Sequence, residues 1–310
     1  MPLKTLKKHT AEALTLEWIL HVKNYKLLLD KKRCVGCQIC TLACPKEAIK
    51  LEKQAKVPGE KAKRAKVDIE LAKCNFCGIC DVLCPYGAIK VTLNGEHALP
   101  VIEKESFPQL IRSIQFDASK CPVDCVECEE ACPLNLIKVI RLTPEGEIIE
   151  NVDSLPKKRR KKLQVKIEVE KETCPCCRIC EFKCPEGVMH VKKFLQGKIL
   201  IHQEKCPDGC TDCLDVCPIT GALYLSNEDK KVHVNEVFCI YCGACKVVCP
   251  VGEAMELKRT KVIHTPIRSG AWNKALERLA SPIEMSKELK AKGSLKAVDA
   301  VEKRLGWKVT

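Results

Sequence analysis

The sequence predicts an α+β chain of three tandem units, preceded by an N-terminal extension and followed by a helical C-terminal tail. Three observations carry that expectation: one cysteine phrase closed by proline recurs six times, short β-forming runs stand between its copies, and no cysteine follows Cys249. Internal repetition of this kind fixes the architecture before any single residue does.

The first copy of the phrase is Cys34, Cys37, Cys40 and Cys44 with Pro45, and the second is Cys74, Cys77, Cys80 and Cys84 with Pro85. The third, Cys121, Cys125, Cys128 and Cys132 with Pro133, is one residue longer in its first gap. The fourth is Cys174, Cys177, Cys180 and Cys184 with Pro185, the fifth Cys206, Cys210, Cys213 and Cys217 with Pro218, and the sixth Cys239, Cys242, Cys245 and Cys249 with Pro250. The third and fifth share the longer gap, so each of the later units opens on the same variant.

Residues 1–24 form the extension. The first unit, 25–110, is entered by a strand over Tyr25–Leu29, carries β-forming runs at Ala48–Glu52 and Val67–Leu71, and is left by Ala88–Leu93 and an Asn94-Gly95 turn. The second unit, 111–196, opens on Ile111–Phe116, turns at Pro144-Glu145-Gly146, crosses a solvated linker at Lys157–Lys162 and regains a strand at Val165–Val169. The third, 197–258, has strands at Lys198–His202, Leu223–Leu225 and Val232–Val234. In the tail, 259–310, Trp272, Leu276 and Leu279 share a helical face, Ser281-Pro282 with Glu284 reads as a cap and first turn, and Ser294 caps a last helix ending near Leu305. Helices so short make no core of their own and are expected to dock.

Composition narrows the chemistry. The 310 residues include 25 cysteines but only 4% aromatic residues, so something besides a hydrocarbon core organises the interior. The start of the chain, with Lys4, Lys7, Lys8, Glu12 and Glu17, lacks the apolar run of a secretory signal, and no stretch reaches the roughly 20 apolar residues of a membrane span. The expectation is a cytoplasmic protein whose thiols stay free for metal. The formal charge of +13 would suit a nucleic-acid binder, a reading the six motifs oppose. If 24 cysteines are thiolates on six cores of about +2 each, the clusters contribute about −12 and nearly cancel the basic excess.

Three cysteines at i, i+3 and i+6 on a turning loop converge on three corners of a cube, while amides of the loop point at its sulfides. In two-cluster proteins with this phrase the cysteine before proline ligates the other cluster, which is why motifs come in pairs. Proline after that cysteine suits a first helical position, so cysteine, proline and a short helix are expected as one unit. Pairing neighbours gives six [4Fe-4S] sites. Cys34, Cys37, Cys40 and Cys84 make the first, and Cys74, Cys77, Cys80 and Cys44 the second. The third takes Cys121, Cys125, Cys128 and Cys184, and the fourth Cys174, Cys177, Cys180 and Cys132. The fifth takes Cys206, Cys210, Cys213 and Cys249, and the sixth Cys239, Cys242, Cys245 and Cys217. A hairpin-like stretch over Val188–His202 leaves open a union of the fourth and fifth motifs instead.

Two other classes compete. A cysteine-rich structural zinc protein would use spaced CxxC pairs and gives no reason for the proline; a disulfide framework needs an oxidising compartment. Cys176, in Cys174-Pro175-Cys176-Cys177, breaks the spacing and is expected to be a spare thiol. The seven histidines have no ligand spacing to the cysteines, and no catalytic triad, phosphate loop or carboxylate pair stands out. The expected protein is an electron carrier without a catalytic site of its own.

The phrase resembles that of bacterial-type ferredoxins over residues 25–257, and six copies in one chain resemble the archaeal polyferredoxins. Within that group the likeness is greatest to the polyferredoxin component of tungsten or molybdenum formylmethanofuran dehydrogenase. It rests on the run from Leu99 through Pro100, Val101, Ile102, Glu103, Lys104, Glu105, Ser106 and Phe107 to Pro108, on Cys128-Glu129-Glu130-Ala131-Cys132-Pro133-Leu134, and on Ala271-Trp272-Asn273-Lys274-Ala275-Leu276-Glu277. That component carries eight motifs in four domains, where this chain has six. The resemblance implies three two-[4Fe-4S] ferredoxin domains relaying low-potential electrons in an anaerobic complex, with the metal-pterin and amidohydrolase-type subunits as partners and CO2 reduction to formylmethanofuran, as in methanogenesis, as its reaction. A hub passing electrons to hydrogenase, heterodisulfide reductase or soluble ferredoxin is the alternative.

Overall fold

Each unit enters on a strand, turns through a cysteine loop into about one turn of helix, crosses a hairpin and repeats. The computed structural model describes residues 3–280 apart from 58, 150, 151, 153, 154, 161 and 268. In the first unit β1 (Lys4–His9) and β2 (Ala13–Ile19) lead into β3 (Asn24–Asp30), followed by α1 (Ile39–Ala43), β4 (Ile49–Glu52), β5 (Lys66–Ile69), α2 (Ile79–Val82) and β6 (Ile89–Leu93). After the short α3 (Pro100–Glu103) the second unit runs β7 (Ser113–Phe116), α4 (Glu127–Glu130), β8 (Ile137–Leu142), β9 (Ile148–Ile149), α5 (Lys157–Arg160), β10 (Gln164–Val169), α6 (Ile179–Lys183) and β11 (Met189–Lys192). The third comprises β12 (Leu195–Ile201), α7 (Asp212–Val216), β13 (Leu223–Leu225), β14 (Val232–Val234), α8 (Ala244–Val248) and β15 (Met255–Val262), and α9 (Gly270–Leu279) follows it.

The closure is the same three times. The first strand of each unit pairs antiparallel with its last, β3 with β6, β7 with β11 and β12 with β15. The middle strands form their own pairs, β4 with β5, β8 with β10 and β13 with β14. The Val188–His202 stretch is therefore not a hairpin: its strands β11 and β12 pair with β7 and β15, which couples the third motif to the fourth and the fifth to the sixth. Period-two patterning explains the sheets. Leu14 and Leu16 of β2, Leu27 and Leu29 of β3, and Ile89 and Val91 of β6 all lie buried on one face. Each such side chain contributes about 1.5–3 kcal/mol by leaving water.

Two stretches differ from the sequence expectation. Within the N-terminal extension, 1–24, the strands β1 and β2 form a hairpin that widens the first unit's sheet to the order β1-β2-β3-β6. The Lys157–Lys162 linker holds the helical turn α5 at its start.

The tail helix α9 is capped by Ser269, whose hydroxyl accepts from the Ala271 amide at 3.1 Å. It buries Trp272, Ala275, Leu276 and Leu279 in a core shared with Ile39 and Ala43 of α1. Trp272 meets Phe107 edge-on, with ring centroids 5.4 Å apart, and packs on His264. The cap at Ser281-Pro282 and the helix from Ser294 to Leu305 lie outside the described residues. No helix among the described residues is long and apolar enough to cross a membrane.

Because Trp272 is wholly buried between α9 and Phe107, Trp272→Ala is expected to cost about 3–5 kcal/mol. Anaerobic urea unfolding measures it, and a loss below about 1 kcal/mol would mean that α9 does not dock as described.

Candidate iron-sulfur sites

In four motifs the residues on both sides of the second cysteine adopt left-handed backbone angles: Gly36 and Gln38, Phe76 and Gly78, Cys176 and Arg178, Tyr241 and Gly243. Two such reversals around one residue curl the loop, turn its amides inward and start the helix that carries the third cysteine. In the fifth motif Gly209 supplies a positive φ before Cys210. At Gly243 the neighbours stand close as well. A Cβ there would lie 3.0 Å from Leu257 and 3.3 Å from Arg259 Nη2.

The proline does something other than the sequence suggested. The short helices precede the fourth cysteine, and Pro45, Pro85, Pro133 and Pro185 each begin a turn that leads to a strand. A residue before proline is pushed out of the helical region. Cys44, Cys184 and Cys217 accordingly sit at ψ 115, 112 and 118, extended, where their helices end. Proline thus stops the helix and throws the fourth thiol away from its own loop, and its fixed φ suits the turn that follows.

That thiol lands in the partner motif. One enclosed cavity is lined by Cys44 together with Cys74, Cys77 and Cys80 and closed by Leu27, Ile69 and Phe76. Another is lined by Cys217 with Cys239, Cys242 and Cys245, and by Tyr86 and Ile219. Electrostatics group the rest in the same crossed fashion. Burial first, then the neighbouring Cys84, pushes the Cys34 thiol up to about 11. Cys121 is raised by burial and by Cys125 and Cys184. Cys177 rises to about 11 by burial, with Cys174 and Cys132 adding to it, and Cys206 is raised by burial, Cys210 and Cys249. The amides of Ala48, Ala88 and Leu136 donate to the sulfurs of Cys44, Cys84 and Cys132 at 3.2–3.4 Å.

All 25 cysteines are free thiols. Among the described residues no three cysteine, histidine, aspartate or glutamate side chains are gathered closely enough to hold one bare ion. Four thiols around an apolar cavity, with amides aimed at sulfur, fit a sulfide-bridged iron core: its positive charge stabilises thiolates that burial alone disfavours.

Cys176 occupies the slot of Phe76 and Tyr241, in the left-handed position before the second cysteine. Its amide donates to Cys174 Sγ at 3.4 Å, as the Tyr241 amide does to Cys239 Sγ. Its own side chain is buried in the core that holds Phe194 and Trp272.

Cations that sequence reasoning did not single out tie the units together at the cysteine loops. Arg112 donates to the Cys84 and Pro85 carbonyls at 2.8 and 2.9 Å, and also to Cys174 O, joining the first unit to the second. Lys193, between β11 and β12, donates to Cys239 O at 2.7 Å, and Lys53 donates to Cys249 O at 2.6 Å. Arg259 donates to Tyr241, Cys242 and Leu279 carbonyls at 2.8–3.1 Å. The three units share one core in which Val35, Tyr86, Cys177, Ile179, Ile240 and Tyr241 meet.

These crossed thiol sets define an iron-sulfur protein of the two-cluster type. Residues 33–88 and 198–250 each match the 4Fe-4S dicluster domain family. Over 95 residues the chain is 35% identical to the polyferredoxin-like subunit of aliphatic sulfonate oxidoreductase from Pyrococcus furiosus, covering 27% of this chain and 53% of that one. Over 110 residues it is 31% identical to the polyferredoxin protein MvhB of Methanothermobacter marburgensis, covering 33% of this chain and 25% of that one. It spans about half the length of the first curated relatives it matches. Among solved structures, a chain of the formate dehydrogenase, heterodisulfide reductase and formylmethanofuran dehydrogenase complex from Methanospirillum hungatei superposes with a TM-score of 0.74 at 30% identity, covering 91% of this chain and 92% of that one. The protein belongs to the polyferredoxins, electron-transfer proteins that carry 4Fe-4S clusters.

Cys84→Ser is expected to remove about four irons per chain by opening the first site, whereas Cys176→Ser leaves the iron count unchanged; iron analysis of the two variants checks both. Acid should weaken the sites. Cys34, Cys74 and Cys177 are pushed up to about 11, and Cys180, Cys213 and Cys217 to about 12, all chiefly by burial. Such thiols are protonated at neutral pH and must lose a proton to hold iron, so protons compete with iron and the competition eases as pH rises. A ferrous chelator should strip iron more slowly at about pH 8.5 than at about pH 6.5, and equal rates would contradict this.

Proposed function

We propose that this chain is an electron-relaying subunit with six [4Fe-4S] clusters in three ferredoxin domains, held by the six crossed cysteine sets given above, and that it has no catalytic site of its own. The observation that carries the reading is the lining of two enclosed cavities, each by three thiols of one motif and the pre-proline thiol of its partner. The clusters supply one-electron storage; the chain's part is to hold them, exclude water and set their surroundings. Val35, Ile240 and Ile219 keep the shared core dry, and the loop amides and buried cations offset the negative charge of the loaded sites.

The complex it serves is proposed to be a formylmethanofuran dehydrogenase assembly, in which low-potential electrons reach a tungsten- or molybdenum-pterin subunit that reduces CO2, with an amidohydrolase-type subunit as the other partner. Support comes from the near full-length likeness to a chain of the Methanospirillum hungatei complex. A hub serving hydrogenase or heterodisulfide reductase is the second reading. It is favoured by similarity to formate hydrogenlyase subunit 2 and hydrogenase-4 component A of Escherichia coli and by the heterodisulfide reductase in that same complex. Either way the chain is proposed to work in the cytoplasm of an anaerobe.

Anaerobic purification from the native cell, with iron, sulfide and bound subunits determined, separates these readings. About 24 irons and a pterin-containing subunit are expected; a hydrogenase or heterodisulfide reductase as sole partner would favour the hub. Zinc in place of iron would overturn both.

A further inference from the structure

The first and third units meet at a joint built from two residues the cluster ligation does not use. Tyr86 follows Cys84-Pro85, next to the first site's fourth ligand, yet its ring lines the cavity of the sixth site beside Cys217, Cys239 and Cys242. It is only 3% exposed, and among the described residues its hydroxyl meets no partner at full hydrogen-bond geometry. The Cys242 thiol is the sulfur nearest to it in effect, and Cys37 and Cys217 also bear on it. A buried hydroxyl left unsatisfied costs free energy, so a native structure that keeps one invites an acceptor.

Arg259 approaches the same joint from β15. At an inward position of the strand and 6% exposed, its guanidinium has only carbonyl partners among the described residues and no carboxylate. The Cys242 carbonyl is 2.8 Å away, and a Cβ on the neighbouring Gly243 would lie 3.3 Å from Arg259 Nη2 and 3.6 Å from the Cys37 carbonyl oxygen. The guanidinium therefore sits where the second cysteine of motif six meets that of motif one. A buried cation without a counter-ion is unfavourable, and anionic clusters on either side would supply one.

We propose that Tyr86 and Arg259 are positioning residues for the sixth site: the Tyr86 hydroxyl donates a hydrogen bond to its sulfur shell, Arg259 supplies its counter-charge, and each raises its reduction potential. The inference rests on the six-cluster reading. Reduction adds one negative charge, and both a donor at sulfur and a nearby buried cation stabilise the reduced state more than the oxidised one. The joint between the first and third units is then the place where an added electron is held most favourably.

The test is an anaerobic redox titration of the full chain followed by electron paramagnetic resonance, with iron and sulfide counted in the same samples. Tyr86→Phe keeps the ring and removes only the hydroxyl. It is expected to retain all its iron while one cluster's reduction equilibrium weakens about tenfold, a fall of about 59 mV for a one-electron couple. Arg259→Gln should lower the same cluster, and Arg259→Lys should restore most of the shift. Unchanged midpoints in Tyr86→Phe and Arg259→Gln would overturn the inference, as would iron loss from Tyr86→Phe or an Arg259→Lys shift as large as that of Arg259→Gln. Fewer than about 24 irons in the unaltered chain would count against the six-cluster reading alone, because the midpoint comparison is still made on whatever clusters are present.

Discussion

The constraint on which the rest depends is that the cysteine before proline is carried away from its own loop and toward the partner motif. At Cys44, Cys184 and Cys217 proline ends the helix and extends the cysteine before it, and in two cavities three thiols of one motif are joined by the pre-proline thiol of its partner. Two loops must therefore approach each other, and the strand pairs β3 with β6, β7 with β11 and β12 with β15 are what bring them there. The fold of each unit and its ligand chemistry are one requirement met twice over, by backbone pairing and by crossed thiols.

A second constraint is electrostatic. Buried thiols resist ionisation, and clusters that ionise them leave negative charge in a dry interior. The structure answers with cations whose heads rest on the carbonyls of the cysteine loops, Arg112 on Cys84, Lys193 on Cys239, Lys53 on Cys249 and Arg259 on Cys242. Arg112, Lys193 and Lys53 cross between units and Arg259 reaches from β15 to the end of α9, so the charges that balance the sites also fasten the parts of the chain to one another. This is a local account of part of the formal +13, for which the sequence indicates the compensation but not the residues that supply it.

Much of the fold is legible in the sequence because its signals are short in range. The cysteine spacing marks each loop, and strands at Leu223–Leu225 and Val232–Val234 fall where their β-branched and aromatic residues indicate. The role of proline is not legible there, since its preset φ suits both a helix start and a turn, and only the turn and strand that follow it decide between them. The N-terminal hairpin escapes the sequence reading too, although Leu14 and Leu16 alternate with polar neighbours in the manner of a half-buried strand. Tyr86, Arg112 and Arg259 cannot be found from spacing, because the groups they meet lie in other units or, for Arg259, 17 to 20 residues away along the chain. Arg259 leaves one trace: with Met255 and Leu257 it falls on the inward-facing set of β15, an unusual position for a charge.

The docking of α9 carries a consequence for assembly. Its buried face covers α1 of the first unit, so a surface at one part of the chain is covered by a helix far along it. Before α9 docks, Ile39 and Ala43 are partly uncovered beside the first cysteine loop. The helix then works as a closing latch, and a chain truncated before it would be left with an open doorway beside its earliest metal site.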